Sequence, residues 1–237
     1  MQLVHKQRWP WVVALMATIT LLLGGVMAAS PALADTWHSC ARFGQHSYPN
    51  NYVVRQNMWN RTSGQCMTAH SRGDWDVTAN FTGTSVKSYP SVQRTFYRDV
   101  GTFASLTSHY AERMPSGTGH WEAAYDIWLR GWNLELMIWV DNHNQTPFGS
   151  KVASTTIYGQ HWDIWKDGND AFAFVLDHNQ HSGTVHIKSV LRWMVHHGYI
   201  SNGTEMQAIE WGFEPCGTGG VNKVFHNDSY GISWTNG

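Results

Sequence analysis

The stretch that decides the fold is Trp121–Val140, which reads WEAAYDIWLRGWNLELMIWV. Two runs rich in aromatic and branched residues flank the dipeptide Arg130-Gly131, a pattern that predicts two antiparallel strands joined by a two-residue turn. The second run alternates, so that one of its faces is fully apolar. The opposite face carries Glu135, Met137 and Trp139.

A two-residue turn also predicts the register of this hairpin, with Asp126 directly opposite Glu135. Opposed residues share a face and have Cβ atoms ~5 Å apart. We therefore expect both carboxyl groups on the face that bears Met137 and Trp139, and the apolar face in the core. A carboxylate between large flat side chains is typical of a sugar-binding cleft, although a half-exposed sheet with a chance glutamate gives the same pattern.

A second stretch, Met206–Glu214, alternates in the same way. Strand periodicity places Glu210, Gly212 and Glu214 on one face, opposite a face that contains Trp211. A glycine in this position predicts open space beside Glu214 for a ligand.

Paired carboxyl groups in such settings suit glycoside hydrolysis, which needs one on each side of the scissile bond. Burial against apolar groups keeps one of them protonated, while the other must be ionised. Glu135 and Glu214 are the best candidates for this pair. Glu210 competes with Glu214, and we expect it to form hydrogen bonds within the cleft instead.

Composition narrows the classes of protein that fit. The chain has 237 residues with 14% charged residues, 14% aromatic residues and a formal net charge of -1. A net charge this close to zero predicts that the chain binds neither nucleic acid nor an anionic membrane surface. The aromatic content argues against disorder. Short alternating runs separated by turn residues predict an all-β sandwich or barrel. The exception is Thr184–His197, where apolar spacing predicts one helix, capped by Thr184 and packed on the sandwich.

The N-terminus predicts export. Basic residues precede the apolar run Trp11–Leu23, and Ala32-Leu33-Ala34 is typical of a signal-peptidase site. We therefore expect residues 1–34 to be a signal peptide and residues 35–237 to be a single secreted domain, with an uncleaved anchor as the alternative. No membrane contact is expected after cleavage, and nothing indicates an obligate oligomer, so a monomer is predicted.

Export permits disulfides among the three cysteines. Cys40 and Cys66 lie near the predicted mature N-terminus, where a hairpin or neighbouring strands could join them, which leaves Cys216 unpaired. The chain has 14 histidines but no zinc-type or HExxH spacing, so we predict neither a cofactor nor a catalytic metal. A structural cation held by a loop, for example near His178 and His181, stays open.

Several segments resemble glycoside hydrolase family 12. The match covers nearly all of residues 36–234, and its elements follow the order of the family. The segments that carry the resemblance are Asn57-Met58-Trp59, Ala124-Tyr125-Asp126-Ile127-Trp128, Glu135-Leu136-Met137-Ile138-Trp139, Pro147-Phe148-Gly149 and Gly212-Phe213-Glu214-Pro215. Cys40 and Cys66 bracket the first segment, as the N-terminal disulfide of the family does.

The resemblance implies a β-jelly roll of two curved antiparallel sheets, with one helix on the convex face. It implies endo-acting cleavage of β-1,4-glucans with retention of configuration. By position, Glu135 is then the nucleophile, Glu214 the general acid and base, and Asp126 a hydrogen-bonding partner of Glu135.

The resemblance also implies which residues bind the substrate. Asn57, Trp59 and Trp139 would bind glucose units on the non-reducing side, and Met137 would lie near the reacting sugar. The loop at Pro147 would border the cleft. Cys216 departs from the family pattern, which has a bulky residue there. The bland interpretation of Cys216 is a small buried side chain.

Two alternatives remain on the sequence alone: a non-catalytic carbohydrate-binding jelly roll and a xylanase of the related jelly-roll family. The sequence does not rank cellulose, mixed-linkage glucan and xyloglucan as substrates.

Overall fold

The computed structural model describes residues 36–237, and the predicted leader at residues 1–34 lies outside them. The described chain is almost entirely β-structure with one α-helix. In chain order its elements are β1 (Trp37–Ser39), β2 (Gln45–Tyr48), β3 (Tyr52–Arg55), β4 (Gln65–Ser71), β5 (Asp74–Ala79), β6 (Ser91–Asp99), a 3-10 turn (Val100–Thr102), β7 (Phe103–Arg113), β8 (His120–Leu129), β9 (Leu134–His143), β10 (Ser150–Ile157), β11 (Gln160–Asp167), β12 (Ala171–Leu176), β13 (Ser182–Val185), α1 (Ile187–His196), β14 (Glu205–Gly217) and β15 (Lys223–Asn236).

These strands form two sheets. The six-stranded sheet has the order β1-β4-β5-β15-β7-β13, and the nine-stranded sheet has the order β10-β11-β12-β9-β8-β14-β6-β3-β2. Strand pairs are antiparallel except β12 and β9, which run parallel. This arrangement is the predicted β-jelly roll with one helix, with one correction: the prediction of antiparallel sheets fails at the β9–β12 pair, because β10, β11 and β12 follow β9 as a meander that brings β12 back beside β9 in the same direction. Within residues 36–237, no helix combines the length and apolar character needed to cross a lipid bilayer.

The core lies between the two sheets and follows the predicted alternation. Trp211 of β14 packs against Tyr125 of β8 and Tyr110 of β7, with ring centroids 4.8 Å apart in each pair. The even-numbered residues from Leu134 to Val140 are buried in the same cluster. One face of β8, β9 and β14 is therefore fixed in the core, and their other face is available for a site.

The β8–β9 hairpin differs from the prediction by two residues in register. Asp126 lies opposite Met137 and Glu135 lies opposite Trp128, rather than Asp126 opposite Glu135. The connecting loop has four residues because three successive residues from Arg130 adopt positive φ angles. Since the difference is an even number, every side chain keeps its predicted face, and Asp126 and Glu135 become diagonal neighbours.

The helix is confirmed with a later start. It begins at Ile187, because Thr184 belongs to β13, and no side chain caps it at His186. The predicted cap at Thr184 was therefore wrong. The apolar face of the helix enters the core, where Trp193 meets Phe174 of β12 edge-on at 5.2 Å.

A disulfide joins Cys40 to Cys66 and confirms the predicted pair. It connects the segment after β1 with β4. Cys216 is a free, buried thiol.

Candidate active site

The face of the nine-stranded sheet that points away from the core carries a group of acidic side chains. The middle strand, β8, contributes Glu122 and Asp126. Its neighbour β9 contributes Glu135, and β14, on the other side, contributes Glu210 and Glu214. Strand alternation places all five on one face, the face turned away from the six-stranded sheet.

Two adjoining cavities open on this face. The first, of about 450 Å³, is lined by Arg55, Asn57, Trp59, Tyr89, Asp126, Trp128, Trp132, Glu135, Glu210 and Glu214. The second, of about 250 Å³, is lined by Trp59, Val86, Glu135, Met137, Trp139, Gln145, Thr146, Phe148 and Glu214. Trp59, Glu135 and Glu214 line both, so the two glutamates lie where the cavities meet.

The structure therefore brings the predicted site residues together, with two differences in detail. Pro147 lines neither cavity, and its neighbours Thr146 and Phe148 line the second one instead. Trp139 lies with Met137 in the second cavity rather than beside Asn57 in the first, and its indole N–H donates to the Met137 sulfur at 3.4 Å.

Glu135 has a carboxyl partner in Asp126. Burial and the negative charge of Glu214 raise the pKa of Glu135 to about 7, while a hydrogen bond with Asp126 lowers it. Burial, together with the charge of Glu135, holds the pKa of Asp126 well above its usual range. Asp126 thus stays protonated and donates its proton to Glu135, which favours the ionised form of Glu135.

Glu214 has a carboxyl partner of its own, which the sequence analysis missed. Glu122 lies directly opposite Glu214 in the β8–β14 ladder and is 0% exposed. Neither Glu122 oxygen meets an N–H or hydroxyl donor in the described residues. Burial and the Glu214 charge raise the pKa of Glu122 well above its usual range. Glu122 therefore keeps its proton and donates it in a hydrogen bond to Glu214.

Glu214 itself is buried enough to hold a proton. Burial raises its pKa, and the hydrogen bond with Glu122 lowers it. Because the charges of Glu135 and Glu214 repel each other, ionisation of one favours the protonated form of the other. The site therefore favours the state in which one of these two glutamates is protonated and the other is ionised.

Glu210 is held differently from these pairs. The Ser91 hydroxyl donates to one of its oxygens and the Gln93 amide donates to the other, both at 2.8 Å. An Arg55 guanidinium nitrogen lies 3.9 Å from it. Both oxygens thus accept hydrogen bonds from the adjacent strand β6, as predicted for a carboxylate that forms hydrogen bonds within the cleft.

Gly212 has another purpose than the one predicted. A Cβ at this position would clash with the Pro90 carbonyl oxygen and the Ser91 backbone. The glycine therefore allows close approach of β6 to β14 and leaves no extra room for a ligand.

Cys216 is buried two residues beyond Glu214, and burial raises the pKa of its thiol to about 12, so it stays protonated.

Other lining residues were also missed by the sequence analysis. Trp128 shares the parity of Asp126 on β8, so alternation alone identifies it. Alternation alone also identifies Glu122 as a residue of this face. Tyr89 comes from a segment with no strand pattern, and its hydroxyl donates to the Ala124 carbonyl at 2.9 Å. Among the described residues, the two groups with metal-ligand spacing lie outside both cavities.

Two opposed glutamates, each with a carboxyl partner, lie between cavities lined by tryptophans. Aromatic faces bind the apolar faces of sugar rings, and paired carboxyl groups perform glycosidic bond cleavage. This combination of fold and site defines a glycosidase. The chain belongs to glycosyl hydrolase family 12, whose profile matches residues 50–234.

Three similar proteins illustrate the relationship. Endoglucanase S of Pectobacterium parmentieri is 25% identical over 166 residues, which is 57% of this chain and 62% of that protein. The probable cellulase Cel12b of Mycobacterium tuberculosis is 37% identical over 89 residues, 32% of this chain and 58% of that protein. The chain thus spans about three fifths of the length of these two curated relatives.

The third is a solved structure, the xyloglucanase domain of the type three effector NopAA from Sinorhizobium fredii in complex with cellobiose. It is 25% identical, with a TM-score of 0.77, and the alignment covers 84% of this chain and 99% of that domain.

Proposed function

We propose that this chain is a secreted endo-β-1,4-glucanase that cleaves β-glucans with retention of configuration. The observation that carries the proposal is the position of Glu135 and Glu214, which line both cavities at their junction. A glucan bound across both cavities has its scissile bond between them. The names of the relatives, an endoglucanase and a xyloglucanase, support the substrate class.

In this proposal Glu135 is the nucleophile. Its ionised carboxylate attacks the anomeric carbon, and Glu214 gives its proton to the departing glycosidic oxygen. A covalent glycosyl–enzyme ester forms. Glu214, now ionised, takes a proton from water, the water oxygen attacks the anomeric carbon, and the ester bond to Glu135 breaks.

The cavities support a division of the bound glucan. Asn57 and Trp59 contact glucose units on the non-reducing side in the first cavity, together with Trp128. Met137 and Trp139 contact the sugar that continues into the second. No cofactor takes part, and the active unit is a monomer.

The test is reducing-sugar release by residues 35–237 from soluble cellulose, mixed-linkage β-glucan, xyloglucan and xylan. We expect cleavage of at least one β-glucan, and a loss of several orders of magnitude in Glu135→Gln. Xylan cleavage above every glucan favours a jelly-roll xylanase. Binding without cleavage by folded protein favours a carbohydrate-binding module.

Retention has its own test, because it requires carboxyl groups ~5–5.5 Å apart rather than ~6.5–9.5 Å. Proton NMR of the first product should show the β-anomer before mutarotation. An initial α-anomer contradicts retention.

Secretion rests on the leader. N-terminal sequencing of exported protein should begin at Asp35, and a chain that retains residues 1–34 contradicts the cleavage prediction.

A further inference from the structure

A second cluster of ionisable side chains lies between the two sheets, outside both cavities. Glu112 comes from β7 of the six-stranded sheet, and Asp141 comes from β9 of the nine-stranded sheet. His181 precedes β13. One potential ligand atom from each of the three lies within 4.8 Å of the others.

A β-bulge turns Asp141 into the space between the sheets. Trp139 pairs with Ala124 but Asp141 pairs with Ala123, so Val140 is an additional residue in β9. Beyond such a bulge the alternation reverses. Asp141 therefore faces inward rather than towards the cleft.

The backbone holds His181 against both sheets. The Glu112 N–H donates to the His181 carbonyl at 2.8 Å, and the Gln180 N–H donates to the Val140 carbonyl at 2.9 Å. As a result, His181 Nδ1 lies 2.9 Å from a Glu112 oxygen and 3.1 Å from an Asp141 oxygen. Main-chain hydrogen bonds to both sheets thus hold the backbone that carries His181.

The two carboxylates lack sufficient partners in the described residues. The side chains of Glu112 and Asp141 are 0% and 3% exposed. Glu112 Oε2 is buried and has no hydrogen-bond partner. The buried Asp141 Oδ2 has only the His181 nitrogen nearby, at 3.1 Å, and that nitrogen already contacts Glu112 at 2.9 Å. The one imidazole N–H that reaches the cluster donates to Glu112, so each of the two carboxyl groups keeps a buried oxygen without a donor of its own, which is costly. A cation held between the two carboxyl groups would coordinate these oxygens.

The ligand chemistry identifies the kind of cation. Two carboxylate oxygens and one imidazole nitrogen suit Zn²⁺ or a similar divalent transition metal, whereas Ca²⁺ takes six to eight oxygens. At a metal–ligand distance of ~2.1 Å, tetrahedral ligands are about 3.4 Å apart, so the two distances from His181 Nδ1, 2.9 and 3.1 Å, need to lengthen by only a few tenths of an ångström. The His181 side chain is 64% exposed, which leaves room for a water as fourth ligand.

We propose that Glu112, Asp141 and His181 bind a divalent transition-metal ion that fastens the two sheets of the jelly roll to each other. The ion is structural, because none of the three residues lines the cavities of the active site. The other group with ligand spacing, His38 with Cys40 and Cys66, is occupied by the disulfide.

The test measures thermal unfolding of tag-free residues 35–237 after EDTA treatment and dialysis, with and without added Zn²⁺. A ligand at 100 times its Kd should raise the Tm by about 5–10 °C for a domain of this size. Isothermal titration calorimetry should give one Zn²⁺ per chain. Ca²⁺ and Mg²⁺ at the same concentrations should raise the Tm less.

Two variants place the ion at this cluster. His181→Gln, at an exposed position, and Asp141→Asn should each unfold cooperatively and lose the Zn²⁺-dependent rise in Tm. His178→Gln is the matched control, since His178 is an equally exposed histidine that contacts Asp177 instead, and it should keep the rise. The proposal is overturned if Zn²⁺ does not change the Tm of the unmodified chain, or if His181→Gln shows the same rise. A His181→Gln variant that loses stability equally with and without Zn²⁺ reveals an ion pair and no metal site.

Discussion

Two carboxyl pairs face each other across the active site, and both take one member from β8. Asp126 reaches towards β9 and Glu135, whereas Glu122 reaches towards β14 and Glu214. In each pair the β8 carboxyl has a pKa well above its usual range, because it is buried beside a second carboxyl, and in each it lowers the pKa of its partner. The middle strand thus supplies a protonated donor to both sides.

The pairs differ in their surroundings. Asp126 lines the first cavity, where Glu210 lies directly opposite it on β14. Glu122 is 0% exposed, and beside it lies the Cys216 thiol. A donor next to Glu135 favours the ionised state that a nucleophile needs. The hydrogen bond from Glu122 limits how far burial raises the pKa of Glu214, so that Glu214 can still give up its proton as a general acid. The same kind of carboxyl pair therefore supports an ionised nucleophile on one side and a proton donor on the other.

The largest effect is expected from replacing the glutamates themselves. Glu135→Gln should reduce kcat/KM on every substrate by on the order of 10⁴-fold or more, because the amide is not nucleophilic. Glu214→Gln should lose roughly 10²–10⁴-fold on polysaccharide. It should still release a burst of phenol from an aryl β-cellobioside with an activated leaving group, since that departure needs no proton.

Pre-steady-state kinetics on both substrates separates the two roles. Glu210→Gln serves as the control, because its carboxylate is already held by Ser91 and Gln93. If Glu210→Gln abolishes turnover while Glu214→Gln leaves it near normal, the assignment of the acid is wrong.

Removing the donor beside Glu135 should have the next largest effect. Asp126→Ala deletes the hydrogen bond that lowers the pKa of Glu135, so that pKa rises above about 7. The acidic limb of the kcat/KM profile then moves to higher pH. At any pH below that limb, activity falls about tenfold for each pH unit by which the limb has moved.

Asp126→Asn is the matched comparison, because its amide N–H still donates to Glu135, and it should move the limb less. The measurement is a kcat/KM profile from pH 4 to 9 on one soluble glucan. An acidic limb that stays in place, or moves to lower pH, excludes this role of Asp126.

The Glu122 variant should act on the opposite limb. Glu122→Ala removes the hydrogen bond that lowers the pKa of Glu214, so the acid keeps its proton to higher pH. The basic limb of kcat/KM should therefore move upward, by about one pH unit or less, while the acidic limb changes little. Glu122→Gln keeps a donor and should resemble the unmodified chain. A basic limb that moves downward in Glu122→Ala contradicts the pairing.

Much of this arrangement was accessible from the sequence, because strand parity assigns faces without any knowledge of register. Asp126 and Glu135 were placed on one face correctly, even though the hairpin register was wrong by two residues, and Glu210 and Glu214 were correctly placed together on one face of their strand. The four-residue loop was missed because the Arg130-Gly131 dipeptide also fits a shorter turn. Glu122 has the parity of Asp126 and was overlooked all the same.

The cluster of Glu112, Asp141 and His181 could not be derived in this way. It joins two sheets whose stacking is a tertiary property, and it depends on the bulge at Val140, which reverses the alternation within β9. Single-strand periodicity predicts which way a side chain points until such a bulge occurs. It does not predict which strand of the other sheet lies opposite.

The smallest effect is expected at Cys216, which lies beside one pair and not the other. Its thiol is buried, and burial and the Glu214 charge raise its pKa to about 12. A protonated, enclosed thiol takes no part in proton transfer, so Cys216→Ser should change kcat/KM by less than about threefold. A disulfide-exchange reagent should leave the folded chain unmodified and react once per chain in denaturant. Rapid reaction of the folded chain would instead reveal a thiolate at Cys216. The surroundings of Glu122 and Glu214 would then be polar, and the difference between this pair and the pair of Asp126 and Glu135 would be lost.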